Sequence, residues 1–131
     1  MTRKEQAMAY FKEGYNCAQS VFLAFCDLTG FDQKTALRLA APFGGGIGRQ
    51  REVCGAVSGM CLVADALYGY EDTNDKAAKA AHYKMVQELC AQFRTRAGGS
   101  IICRDLLGTD GRDTTATPTD RTKAYYDNAP A

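Results

Sequence analysis

The sequence predicts an all-α chain: a single-domain bundle of five to six helices with a glycine-rich loop before its central helix. Three observations carry this expectation. Apolar residues recur at three- and four-residue spacing along most of the chain, capping residues and glycine stops bracket those runs, and no segment alternates in the way a half-buried strand does. No repeat of twenty or more residues interrupts the pattern. At 131 residues and 46% hydrophobic content, the chain has material for one packed core and not for two.

Ala7, Tyr10 and Phe11 form the stripe of a first helix, which Gly14 separates from the next. Asn16 reads as the N-cap of the second, whose apolar face is Cys17, Ala18, Val21, Phe22, Phe25 and Leu28, and Gly30 ends it. Asp32 then caps a short third helix over residues 33–41, which Pro42 stops. Residues 43–49 hold Gly44, Gly45, Gly46 and Gly48, too many glycines for a stable helix, so this is a specialised loop.

After the loop, Val53, Val57, Met60, Cys61, Ala64, Leu67 and Tyr68 mark the central helix, and Gly55, Gly59 and Ala66 give it a second, small face that another backbone can approach. Gly69 closes it. Residues 72–75 supply N-caps for a long helix running to about residue 96, with Ala78, His82, Met85, Val86, Leu89 and Phe93 facing the core. Its lone histidine, His82, reads as a satisfied core residue. Ser100 can cap a last short helix over 101–107 that Gly108 ends. The division that follows is a helical domain over residues 1–108 and a loosely held tail, rich in Thr, Asp and Pro, over 109–131.

With 16 basic and 15 acidic residues, the chain has no large field of one sign to attract nucleic acid or an anionic membrane. Residues 53–70 are interrupted by Asp65 and fall short of the ~20 apolar residues that span a bilayer, so no membrane insertion is expected. The charged opening residues carry no apolar secretion signal, and a cytoplasmic location follows as an expectation.

In a reducing compartment the six cysteines, at positions 17, 26, 54, 61, 90 and 103, are not expected to be structural disulfides, and no two have C-x-x-C spacing. Cys17, Cys54 and Cys103 fall in first turns of helices. There, unpaired backbone N–H groups and the positive end of the helix dipole favour thiolate, the reactive and metal-ligating form. Arg49 and Arg51 add positive charge near Cys54, which makes it the expected nucleophile. Cys26, Cys61 and Cys90 sit within or late in helices, where cysteine packs as a small hydrophobe. The glycine loop lacks the Gly-Lys-Ser/Thr ending of a phosphate-binding loop and reads as a tight turn packed near Cys54.

The string Cys54-Gly55-Ala56-Val57-Ser58-Gly59, with residues 15–21 upstream, residues 103–108 downstream and the glycine loop between, resembles the C_GCAxxG_C_C family over roughly residues 5 to 110. The resemblance implies a redox role for Cys17, Cys54 and Cys103. Cys54 and Gly55 stand in the opposite order to the family's name. The family's further cysteine near the carboxyl terminus has no counterpart in residues 120–131, unless Cys90 substitutes for it.

The leading expectation is therefore a thiol/disulfide redox protein that needs no organic cofactor, in which Cys54 attacks and Cys17 or Cys103 resolves. One rival is a zinc or iron–sulfur site on Cys17, Cys54, Cys103 and one more ligand; the other is a structural or interaction module, such as a helical homodimer. The redox partner and substrate stay open.

Overall fold

The computed structural model of the chain describes residues 1–108, 113–118 and 121. Helix α1 (Arg3–Lys12) begins at Thr2, whose side chain accepts from the Glu5 backbone N–H. Helix α2 (Cys17–Leu23) begins at Asn16 with a full capping box: the Asn16 side chain accepts from Gln19 N–H and the Gln19 side chain returns to Asn16 N–H. The run expected to continue from α2 breaks at Phe25, and a separate turn, α3 (Cys26–Thr29), ends at left-handed Gly30. This break takes the number of α-helices among the described residues to seven, leaving aside the four-residue segment Gly44–Ile47, whose inner glycines have left-handed rather than helical backbone.

Helix α4 (Gln33–Ala40) is capped by Asp32, and Pro42 turns its end into a 3-10 turn over Ala41–Phe43. Central helix α5 (Gly55–Tyr68) and long helix α6 (Lys76–Ala97, capped by Asp75) follow, and α7 (Cys103–Leu107) is last. Ser100 is not its N-cap. Ile102 is, while the Ser100 hydroxyl accepts from Ile102 N–H at 3.0 Å and donates to Asp105 at 2.8 Å.

Helix α2 is the hub, packed on α1, α4 and α5. The core cluster is Ala18, Phe22, Leu23, Ala36, Ala40 and Val63. Burial of the Phe22 ring alone contributes roughly 1.5–3 kcal/mol. The small face of α5 is used as expected at two of its three positions. A Cβ on Gly55 would stand 2.9 Å from Cys17 Cβ, and one on Gly59 would stand 2.9 Å from the Ala18 carbonyl oxygen, so α2 and α5 approach almost backbone to backbone.

Ala66 lies outside that face, and with Leu67 and Tyr68 it is exposed, because the end of α5 runs past its neighbours. The expected inner face of α6 is only half-buried except at His82, which packs against the Asp65 carboxylate. Among the described residues, no helix is long and apolar enough to cross a membrane.

Most of residues 109–131 lie outside the described residues. Within that stretch Asp113, Thr117 and Arg121 bond back to the helical body. Arg49 reaches the Thr117 carbonyl and the Asp113 carboxylate, and Arg121 donates to the Phe11 and Tyr15 carbonyl oxygens at 2.5 and 2.7 Å while stacking on the Phe11 ring.

Candidate functional site

The glycine loop earns its composition. Gly45, Gly46, Ile47, Gly48, Arg49 and Arg51 all have φ between 58° and 73°, a left-handed coil in which the non-glycine residues are strained. Its amides are consumed internally: Gly48 N–H donates to Pro42, Arg49 to Gly44, Arg51 to Gly45 and Glu52 to Gly46. No nest of free N–H groups is left for an anion at those positions. A Cβ on Gly46 would sit 2.6 Å from Glu52 N and 2.7 Å from Cys103 Cβ, so only glycine lets the loop pass behind Cys103.

The coil delivers the chain to an isolated antiparallel bridge, Val53 to Ile102. Cys54 N–H donates to Ile101 O at 2.7 Å, and Cys103 N–H donates to Glu52 O at 2.6 Å. These two bonds flank the bridge. Cys54 and Cys103 therefore stand beside the bridge on opposite segments, near enough for Cys103 to act on the Cys54 thiol. Arg104 braces the same joint, donating to Arg51 O and to the Glu52 carboxylate.

Cys17 arrives from the other side, at the first position of α2, held by the Asn16 cap. The Asn16 amide also donates to Ala41 O at 3.1 Å and lies against Gly44. Cys17, Cys54 and Cys103 thus line one narrow crevice, together with Gly45, Gly46, Gly55, Leu106 and Leu107. Of the expected supporting residues, Gly45, Gly46 and Gly55 line it, Gly44 and Gly59 seat α2 beside it, and Gly48 turns the loop at its edge.

Charge is distributed differently from expectation. Cys54 is the N-cap of α5 rather than a residue of its first turn, and burial pushes its thiol up. The Ala56 and Val57 amides at the helix start pull the other way without outweighing burial. Cys17 is half-buried as a residue, yet its sulfur is enclosed. Burial first, then the neighbouring Cys54 and Cys103 sulfurs, push it up to about 12, against the pull of Arg121 and its own N–H. The helix dipole, worth ~0.3–1 kcal/mol at an exposed end, loses to desolvation here.

Arg51, buried, points Nη1 at Cys103 Sγ at 3.8 Å and donates through Nε to Asp113 O. Arg49 is turned away to Asp113 and Thr117. The sequence carried no signal for Arg121 at the site, since it falls in no motif, and Arg104, though inside the downstream string 103–108, was not singled out.

All six cysteines are free thiols. Among the described residues, no group of three or more His, Cys, Asp or Glu side chains is arranged to hold a metal ion. Cys26 lies apart, its thiol toward Phe22 O at 3.9 Å, and Cys90 does not line the crevice but meets Cys61 between α5 and α6. A family model described as "Putative redox-active protein (C_GCAxxG_C_C)" matches residues 15–130. No curated protein and no solved structure matches the chain.

Proposed function

The chain belongs to the C_GCAxxG_C_C family, and from that premise we propose that Cys17, Cys54 and Cys103 are a thiol/disulfide exchange site. The observation that carries this reading is that three cysteines from segments far apart in sequence line one crevice. Cys54 and Cys103 are the exchanging pair, because the Val53–Ile102 bridge and its flanking bonds tie their two backbone segments together.

Attack begins at Cys103 rather than at Cys54. Arg51 Nη1 stands 3.8 Å from the Cys103 sulfur, placed to meet negative charge that develops there during exchange, while burial pushes the Cys54 thiol up. The Cys103 thiolate attacks a partner's disulfide and releases one partner thiolate. Cys54 then displaces the second, its proton leaving with that sulfur. The partner gains two electrons, one proton from Cys54 and one from solvent in place of the proton Cys103 released on ionising, and the chain keeps a Cys54–Cys103 disulfide. Cys17, within electrostatic reach of both sulfurs, is the alternative resolving thiol.

The test is mass-spectrometric thiol mapping across a glutathione redox series. Two crevice thiols should oxidise together at one midpoint while Cys26 stays reduced. Crevice thiols that all stay reduced at every poise would refute the exchange site.

A further inference from the structure

Cys61 and Cys90 belong neither to the crevice nor to the main core cluster of buried residues, and both are half-buried free thiols. Cys61 lies in the middle of α5 and Cys90 in the second half of α6, helices joined through residues 69–75 into a hairpin. Two contacts set its register. His82 Nε2 stands 2.6 Å from Asp65 Oδ1, and the His82 ring meets the Tyr70 ring at 6.0 Å.

Cys61 precedes Asp65 on α5 and Cys90 follows His82 on α6, so on antiparallel elements both lie on the same side of the Asp65–His82 contact. Cys61 is also one turn before Asp65, on the face that meets α6. Across the seam the Cys90 thiol lies close enough to Cys61 to act on it electrostatically.

We propose that Cys61 and Cys90 are a second dithiol, separate from the crevice, that closes reversibly into a disulfide stapling α5 to α6 when the chain meets a low-molecular-weight disulfide of the glutathione class. Burial first, then Cys90 and the Asp65 carboxylate, push the Cys61 thiol up to about 11, so Cys90 is the sulfur that attacks. Its thiolate breaks the S–S bond of the small disulfide, forming a mixed disulfide and freeing one small thiolate. Cys61 then displaces the other half. Two small thiols leave with the two protons, and two electrons have passed from the protein to them. The new bond ties down α6, whose inner face is otherwise mostly half-buried.

The inference does not rest on the crevice being redox-active, and one experiment separates the two. The full chain is incubated with oxidised glutathione at mildly alkaline pH, quenched in acid and digested without reductant. A Cys61–Cys90 cross-linked peptide is expected, lighter by two hydrogens than its reduced parts. In Cys61→Ser, which keeps a side chain of similar size, Cys90 should instead carry a glutathione adduct, and the rise in Tm that oxidation gives the unmutated chain should shrink or vanish. Cys61 and Cys90 staying reduced, or each carrying its own adduct in the unmutated chain, overturns the proposal. A Cys61–Cys90 link formed while the crevice thiols remain reduced supports it and refutes only the crevice reading.

Discussion

Nη1 of Arg51 stands 3.8 Å from the sulfur of Cys103, with both residues buried and the backbone of Arg51 held in a left-handed conformation to put it there. A buried guanidinium needs partners, and this one divides its donors between that sulfur and the Asp113 carbonyl. Arg51→Gln, which removes the guanidinium beside that sulfur, should therefore slow alkylation of Cys103 at neutral pH. Arg51→Lys should recover part of the rate. Peptide-resolved iodoacetamide kinetics measures both, and an unchanged Cys103 rate in a folded Arg51→Gln chain would leave Arg51 a purely structural residue.

The glycine coil makes a graded prediction. At Gly46, with φ of 73°, a new Cβ meets Glu52 N at 2.6 Å and Cys103 Cβ at 2.7 Å, so Gly46→Ala suffers both backbone strain and overpacking. It should lose about 2–4 kcal/mol. Gly48, with φ of 58° and nothing within 4 Å of a Cβ, meets strain alone and should lose about 1–2 kcal/mol on change to alanine. Urea unfolding under reductant orders the two, and equal losses would mean that the close passage behind Cys103 is relaxed in solution.

What the sequence made legible is what local rules control. Asn16, Asp32 and Asp75 cap the helices they were expected to cap, and Gly30 ends its helix in the left-handed region. Gly55 and Gly59 were readable as a close-approach face because their spacing is helical. Ala66 was not distinguishable from them, since periodicity continues past the point where α5 leaves its neighbours.

Tertiary placement was hidden. A single bridge, Val53 to Ile102, is too short to impose alternation on the sequence, yet it aligns Cys54 with Cys103. Charge near Cys54 in sequence proved to be charge near Cys103 in space, because the left-handed turn at Arg51 redirects its side chain. The Cys61–Cys90 contact depends on hairpin register, which neither residue's local environment encodes.

Asn16 carries two jobs, and its removal should register in both. Its side chain accepts from Gln19 N–H at 2.8 Å and donates to Ala41 O at 3.1 Å, joining the start of α2 to the end of α4. Asn16→Ala should destabilise the chain by about 1–3 kcal/mol and raise hydrogen exchange at the Gln19 amide. Asn16→Asp, which keeps the acceptor and loses the donor, should fall between the two. If Asn16→Ala and Asn16→Asp are equally destabilised, the cap adds nothing beyond the bond to Ala41.

Alkaline pH should unfold this protein through its enclosed sulfurs. The Cys17 thiol is pushed from an ordinary 9.0 up to about 12 by burial and by its sulfur neighbours. Between those values an unfolded chain has released the proton while the folded chain retains it, so the folded state binds more protons and stability falls as pH rises. Below about pH 9 both states are protonated and the contribution is intact. The folded chain should accordingly lose stability across about pH 9 to 12, and Cys17→Ala should lose it less steeply. Cys61, pushed up to about 11, acts in the same direction, so Cys17→Ala/Cys61→Ala should be flatter again. Urea midpoints measured under reductant across this range decide the matter: parallel slopes for the parent and both variants would mean that water reaches these sulfurs in the folded chain, and a crevice that wet could not hold Cys17 protonated beside its two neighbours.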